Sequence, residues 1–332
     1  MPNAIRIHEH GGPEVMRWEE VRVAEPAEGE VTVRHTAIGV NFSDVNVRRG
    51  GFYLGLAERF PVTLGNEAAG VVEKIGVGVT GLSLGDRVAY AGVGEQFPVQ
   101  TGAYAEIRNV PVRRLIRLPD DIDDVLAAGL LVKSLTASLV VRHMGRPTRG
   151  DAILVHAAAS GVGGIIAQWS KHLGATVIGT VGSLEKAQQA RQFGCDHTIL
   201  YREQDFVSEA IQLVPKGVDI VFDGVGGETF ERSLECLAPF GRLINYGNAA
   251  GHIPQLDVRL LSRRSLSVGR AGLGTYLGQF DVMQAAVAEI FEAVRGGVLK
   301  LNVWKTYPLA EAARAHTDIE TRQSAGAIVL IP

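Results

Sequence analysis

The sequence predicts an α/β protein of two domains, a doubly wound parallel sheet beside a compact, β-rich, partly barrel-like domain. Three observations predict it. The chain has 332 residues, more than one hydrophobic core usually supports. Its first third breaks into short β-branched runs separated by glycine, and its middle alternates apolar runs with segments of helical spacing.

From about residue 4 to 125 the signals are strand and turn. "EVTVRHTAIGVN" is rich in β-branched residues. "GNEAAGVVEKIGVGVTGLSLGDRVAYAGV" is interrupted every few residues by glycine, as in closely spaced strands joined by tight turns. From about 126 the period changes. "DDVLAAGLLVKSLTASLVVRHM" is an apolar helix. Apolar runs at 153–155, 176–179, 197–200, 219–222 and 241–246 then alternate with amphipathic helices, the mark of a parallel sheet with crossover connections. After about 265 a helix and further strands follow, too short to fold alone. The expected division is therefore 1–125 with 266–332 for the β-rich domain and 126–265 for the parallel sheet.

Composition excludes several classes of function. With 33 basic and 36 acidic residues and no dense Lys/Arg run, no nucleic-acid surface is expected. No apolar run of about 18 residues suggests a bilayer span, and the start, "MPNAIRIH", lacks the apolar core of a signal peptide. Two cysteines, Cys195 and Cys236, cannot make a disulfide framework and suit a reducing cytoplasm.

"ILVHAAASGVGGIIAQWSKHLGATVIGTVGS" at 153–183 reads strand, turn, helix, strand. A Rossmann turn needs small residues at the tight bend, at the closest approach to pyrophosphate and at the helix-strand contact. Ala158, Ser160 and Gly163 fall there, with Gly161 and Gly164 beside them, and a helix starting near Val162 would aim its N-terminal amides at an anion. No acid follows the second strand to bind a ribose hydroxyl. Gly182, Ser183, Lys186 and the Tyr201-Arg202 pair stand there instead, which suits a 2′-phosphate and favours NADPH. Metal chemistry is not expected. A structural zinc needs four ligands and a catalytic one at least three, whereas both cysteines read as packed thiols and the histidines show no ligand spacing. His8 and His10 read as surface residues, and His156 as structural or cofactor-side. Hydride transfer without a metal remains.

The segments "HEHGGPEVMRWEE" (8–20), "AIGVNFSDVNVRRG" (37–50), "LGNEAAGVVEKIGVGV" (64–79), "GDRVAY" (85–90), "GAYAE" (102–106), "HAAASGVG" (156–163) and "NYGNAAG" (245–251) occur in one order along the whole chain. In this the chain resembles the zinc-independent, zeta-crystallin-like quinone oxidoreductases of the medium-chain dehydrogenase/reductase superfamily, and also the bacterial haloacrylate reductases. The resemblance implies a GroES-like substrate domain beside the Rossmann domain, NADPH as cofactor, and an active site in a cleft between them. Zinc-using relatives carry Gly-His-Glu where this chain has Gly65-Asn66-Glu67, and an early cysteine ligand in the segment that here reads Asn41-Phe42-Ser43-Asp44.

Carried over by position, Asn41 lies near the nicotinamide, with Asp44 close by. Lys133 and Thr136, in "VKSLTA", reach the cleft. Ser160, Gly161, Val162 and Gly163 face the pyrophosphate. Ser183, Lys186 and Tyr201 surround the 2′-phosphate, with Gly182 adjoining. Tyr246, Gly247 and Asn248 line the nicotinamide, and Arg270 and Arg322 lie in later cofactor-proximal segments. Asn46 and Tyr53 join Asn41 in the acceptor wall. Relatives often have tyrosine where this chain has Asn46, and Ser-Thr-Gly-Lys where it has Ser324-Ala325-Gly326-Ala327. The expected activity is hydride transfer to a quinone or an α,β-unsaturated carbonyl by a cytoplasmic homodimer. A dedicated enone or haloacrylate reductase, and a non-catalytic, RNA-binding relative that holds NADPH, stay open.

Overall fold

The computed structural model describes residues 1–50, 60–92, 101–253 and 255–332. The chain divides into two units. The first comprises Met1–Val132, Gly274–Ala288 and Val303–Pro332; the second comprises Lys133–Leu273 and Glu289–Asn302.

The first unit is built on a seven-stranded sheet. Its strands follow the order Val303–Pro308, Ala327–Ile331, Glu30–Val40, Glu67–Ile75, Arg87–Ala91 and Ile116–Arg117, and Ile107–Pro111 pairs with Glu30–Val40 off that path. Glu30–Val40 is the organising strand, because its β-branched and small residues are buried over nearly its whole length. Register shifts at Thr32/Val33 and His35/Ala37 against Glu67–Ile75 bend the sheet. Val31, Val33, Ile38 and Val40 then pack with Val72, Val88, Tyr90, Val110, Ile328 and Leu330 in one core. Each such side chain contributes about 1.5–3 kcal/mol when fully buried. A second, three-stranded sheet holds Arg17–Glu20, Asn3–Ile7 and Val62–Thr63.

The second unit is a six-stranded sheet in the order His197–Leu200, Thr176–Val181, Ala152–Val155, Val218–Asp223, Leu237–Asn245 and Ser267–Arg270, parallel throughout. Strand order reverses between Ala152–Val155 and Val218–Asp223, so their carboxyl ends open a crevice, the place where ligands gather in such sheets. Leu154, Ile178, Ile199, Val221 and Leu243 fill one face with Phe206 and Phe230 from the helices.

The expected strands recur within a few residues of their predicted bounds. The domain limits shift for a packing reason: Ser267–Arg270 pairs with Leu237–Asn245 in the parallel sheet, so the second unit runs past 265 and takes in Glu289–Asn302 as well. The expectation of no apolar span is corrected too. The helical stretch Asp124–Gly145 reaches a mean hydropathy of 1.7 over an 18-residue window. Since 72% of that window is buried inside the protein, we read it as a core helix.

Candidate functional site

In the second unit the turn after Ala152–Val155 is built by short contacts. Ala157 has a left-handed φ of 53°, and the N–H of Ser160 closes the turn onto its carbonyl at 2.8 Å. Ser160 is the N-cap of the helix Gly161–His172, its Oγ accepting the N–H of Gly163 at 3.1 Å. Gly164 N–H bonds the carbonyl of Ser160. The cap thus uses the N–H groups of Gly163 and Gly164 and leaves those of Gly161 and Val162 to the helix N-terminus, where an anion is favoured. A Cβ on Gly163 would stand 2.3 Å from the Ala157 carbonyl oxygen, so only glycine allows this approach. A Cβ on Gly161 would stand 2.8 Å from Cδ of Lys133. The buried stem of Lys133 therefore runs along the turn, with the half-buried Thr136 one turn further along the same helix.

At the end of Thr176–Val181, Ser183 caps the helix Leu184–Gln192, accepting the N–H of Lys186 at 3.3 Å. The Tyr201 hydroxyl lies 3.0 Å, and Nε of Arg202 3.4 Å, from where a Gly182 Cβ would be. Gly182, Ser183, Lys186 and Tyr201 are thus brought together, with Arg202 as a further cation.

A third loop follows Leu237–Asn245. The buried Asp223 accepts the N–H groups of Val225 and Gly226 at 2.8 and 3.1 Å and Nδ2 of Asn245 at 2.8 Å. Asn245 Nδ2 also donates to the Gly247 carbonyl at 2.9 Å. Arg270 donates to Oδ1 of Asn245, and to the Gly247 carbonyl at 3.0 Å. Arg270 is therefore used in holding the loop that carries Tyr246, Gly247 and Asn248. Tyr246 packs on Gly224, and its hydroxyl is buried with no hydrogen-bond partner. Burial, and then Asp223, push that phenol well above its ordinary range. Asp223 and Asn245 escaped the sequence reading; the signal was an acid closing an otherwise apolar run, "VDIVFD".

His156 is structural. Its Nδ1 meets Thr180 Oγ1 and its Nε2 meets Ser233 Oγ, both at 2.9 Å, and burial lowers its pKa to about 4. Cys195 and Cys236 are free and buried, and burial pushes both thiols up to about 12.

In the first unit, Asn41 is the N-cap of the helix Phe42–Arg49, and Asp44 turns back to accept its backbone N–H at 2.9 Å. Asn41 Nδ2 donates to Oε1 of Glu67 at 2.8 Å, and Oε2 of Glu67 accepts the N–H of Val132 at 2.6 Å. Asn66 Nδ2 donates to Asp44 Oδ1 at 2.7 Å, and the Tyr104 hydroxyl donates to Asp44 Oδ2 at 3.2 Å. On its other side the Tyr104 oxygen meets His316 Nε2 at 3.0 Å. His316 Nδ1 meets Arg48 Nη1 at 3.2 Å, and Arg48 pairs with Glu320 at 2.6 Å.

The direction of this chain follows from Arg48, which can only donate. His316 therefore accepts at Nδ1 and carries its hydrogen on Nε2, and Tyr104 turns its own hydrogen toward Asp44. Burial, and then Arg48, lower His316 to about 3 and keep it neutral. Burial pushes the Asp44 carboxyl up to about 7 against the three hydrogen bonds that favour its ionised form. Tyr104, buried beside Asp44, is raised well above the usual phenol range.

Asn66 owes its place to Gly65. That residue has φ of +93°, and a Cβ on it would stand 2.2 Å from the Tyr104 ring. Asn46 is nearly buried, on the side of the helix away from Asp44. Tyr53 lies outside the described residues. Arg322 belongs to the first unit, in a left-handed conformation with φ of 58° after the helix Ala312–Glu320. Glu67, Tyr104, His316 and Arg48 were missed as members of a network, and the carboxylate inside the small apolar run "GNEAAG" was the available signal. Among the described residues no cluster of three His, Cys, Asp or Glu is placed to hold a metal.

A nucleotide-type crevice in one unit and a buried amide–carboxylate cluster in the other define a GroES-like, Rossmann-containing dehydrogenase. Residues 161–292 match the family described as zinc-binding dehydrogenase, and residues 27–120 match the alcohol dehydrogenase GroES-like domain. The chain is 43% identical to the 2-haloacrylate reductase of a Burkholderia species, over 100% of this chain and 99% of that one. It is 40% identical to the quinone oxidoreductase of Pseudomonas aeruginosa, over 100% of both. The crystal structure of Escherichia coli quinone oxidoreductase complexed with NADPH superposes with a TM-score of 0.93 at 39% identity, covering 99% of this chain and 100% of that one. The chain belongs to the quinone oxidoreductase family of the medium-chain dehydrogenase/reductase superfamily.

Proposed function

We propose that this protein is an NADPH-dependent, zinc-independent oxidoreductase that transfers a hydride to a quinone or an α,β-unsaturated carbonyl. The observation that carries the reading is the pairing, in one unit, of a small-residue turn opening a capped helix with a second strand that ends in Gly182-Ser183 rather than in an acid. The residues present fit the cofactor: glycines whose Cβ would close the approach, two first-turn amides for pyrophosphate, and Ser183, Lys186, Tyr201 and Arg202 for a 2′-phosphate. Lys133 and Thr136 flank the turn, and Tyr246, Gly247 and Asn248 stand at the nicotinamide side. When bound, NADPH supplies the hydride.

The chain's part is binding, orientation and electrostatics. Ser160 holds the amides in place by capping, and Asp223 fixes the nicotinamide-side loop. Asn41 and Asp44 stand at the acceptor side; Asn46, on the opposite side of the helix from Asp44, and Tyr53, outside the described residues, are further candidates for it. Arg322 is a further candidate for the cofactor. The 43% identity to a haloacrylate reductase favours a second reading, a dedicated carbon–carbon double-bond reductase. We also propose a cytoplasmic home, consistent with two free, buried cysteines. A homodimer is proposed through the edge strand Ser267–Arg270, which pairs on one side only among the described residues; a monomeric mass in light scattering would refute it.

NADPH oxidation measured over matched quinones, enones and haloacrylates tests the function. Turnover with quinone and enone supports the first reading, turnover with haloacrylate alone supports the second, and none with any acceptor refutes both.

A further inference from the structure

We propose that Asn66 binds the acceptor's oxygen and that the protonation of Asp44 decides whether its side chain offers that oxygen a hydrogen-bond acceptor or a donor. The proposal rests on the oxidoreductase reading above and adds to it a specificity-determining residue.

Asn66 is 1% exposed, and its Nδ2 is committed to Asp44 Oδ1 at 2.7 Å. Its Oδ1 is buried and has no hydrogen-bond partner. Native proteins leave a buried amide oxygen orphaned rarely, and such a group calls for a ligand or a function. The amide cannot simply turn over, because an ionised carboxylate accepts and does not donate. While Asp44 is ionised, Asn66 therefore presents an acceptor.

The rest of the network dictates where a proton on Asp44 must sit. Oδ2 already accepts the N–H of Asn41 and the hydroxyl of Tyr104. Tyr104 cannot reverse, because His316 Nε2–H faces its oxygen, and His316 cannot reverse, because Arg48 holds its Nδ1. Oδ1, the oxygen facing Asn66, is left. An O–H there needs an acceptor, so the amide turns by half a rotation. Its Oδ1 takes the Asp44 proton, and its Nδ2 moves to the formerly orphaned position. The site then offers N–H to a carbonyl oxygen, on which negative charge grows as the hydride arrives.

Burial pushes Asp44 up to about 7, with Glu67 adding in the same direction, so the exchange falls near neutral pH. Of the other groups in the network, His316 is lowered to about 3 and Tyr104 is raised well above its ordinary range. Both stay neutral through that window. Arg48 is paired with Glu320, which also bonds Arg49 at 2.6 Å, and both oxygens of Glu67 are hydrogen-bonded.

The experiment uses 1,4-benzoquinone and hydroquinone as probes at saturating NADPH, from pH 5.5 to 9. In the unaltered protein the quinone KM rises at least about tenfold above neutrality, as the donor form is lost. The hydroquinone inhibition constant falls over the same range, because the ionised state accepts from its hydroxyl. Slopes of the same sign, or none, overturn the proposal without any variant. Asp44→Asn keeps an oxygen for Asn41 and Tyr104 and turns its own NH2 to Asn66, locking the donor form, so the quinone KM loses its pH slope. Asn66→Leu raises that KM and also removes the slope, with the NADPH dissociation constant unaltered. Retention of the slope in either variant overturns the proposal. Failure of the unaltered protein to oxidise NADPH with any acceptor would instead sink the reading beneath it.

Discussion

Gly65→Ala is expected to destabilise the first unit by about 2–5 kcal/mol, and Gly81→Ala by no more than about 1–2 kcal/mol. Both glycines have left-handed φ, +93° at Gly65 and +81° at Gly81. An L residue there costs about 1–2 kcal/mol of backbone strain in either case. Their surroundings differ. Nothing lies within 4 Å of a Gly81 Cβ, whereas at Gly65 it would stand 2.2 Å from Tyr104 Cδ1 and 2.8 Å from the Tyr104 backbone nitrogen. Tyr104 cannot yield: it is fully buried, and its N–H bonds the Leu64 carbonyl at 2.8 Å. Overpacking of this kind adds about 1–3 kcal/mol. Thermal denaturation followed by calorimetry, with separate transitions fitted for the two units, measures both variants. The expected difference is about 2–12 °C, at about 2–4 °C per kcal/mol for a domain of this size. Equal shifts in the two variants would show that the approach of Tyr104 to Gly65 is not a packing constraint.

Three further outcomes are expected. Lys186→Ala weakens NADPH by about 1.5–3 kcal/mol if its ammonium reaches the 2′-phosphate, and leaves NADH unaltered; an equal loss for both cofactors in calorimetric titration would place Lys186 elsewhere. Asn46→Tyr shifts the ratio of quinone to enone kcat/KM with little change in NADPH affinity, and an unchanged ratio removes Asn46 from the acceptor wall. The melting temperature falls as pH drops from about 6.5 toward 4, because burial lowers His35 and His156 to about 4 and His316 to about 3, so below 6.5 the unfolded chain binds protons that the folded one refuses. Asp44 acts with the opposite sign, its raised pKa removing stability between its ordinary value of 3.8 and about 7. A melting temperature that holds constant from pH 6.5 to 4 would refute the three-histidine argument.

Much of the second unit was legible in the residues, for a physical reason. A parallel strand buried on both faces must read as an unbroken apolar run, as "AILV" does at Ala152–Val155. The cap at Ser160 and the small-residue turn are local as well. Ser267–Arg270, by contrast, is an edge strand with no fully buried residue, and its sequence, "SVGR", carries no such signal. The polar network of the first unit was not legible because it is assembled across distance. Tyr104 and His316 meet from loci 212 residues apart; the segment "GAYAE" marked the stretch around Tyr104 but not its partner, and no local pattern marks His316. Asn66 was visible only as a residue unsuited to bind zinc; its orphaned oxygen exists only once Asp44 has claimed its nitrogen.

The strand Ala327–Ile331 lies inside the sheet of the first unit, antiparallel to Glu30–Val40 on one side and parallel to Val303–Pro308 on the other. The whole second unit lies between it and Glu30–Val40 in the chain. As the chain emerges from the ribosome, the Rossmann sheet can close on residues already made, whereas the Ile38–Val40 end of Glu30–Val40, beyond the part that Ile107–Pro111 pairs, stays open until the last strand arrives. Non-local pairing of this kind is slow, and an open edge is a template for association. The order of synthesis therefore makes the GroES-like unit the vulnerable one. Slowed translation after residue 302 should raise the aggregation of nascent chains, while slowing before residue 30 should not.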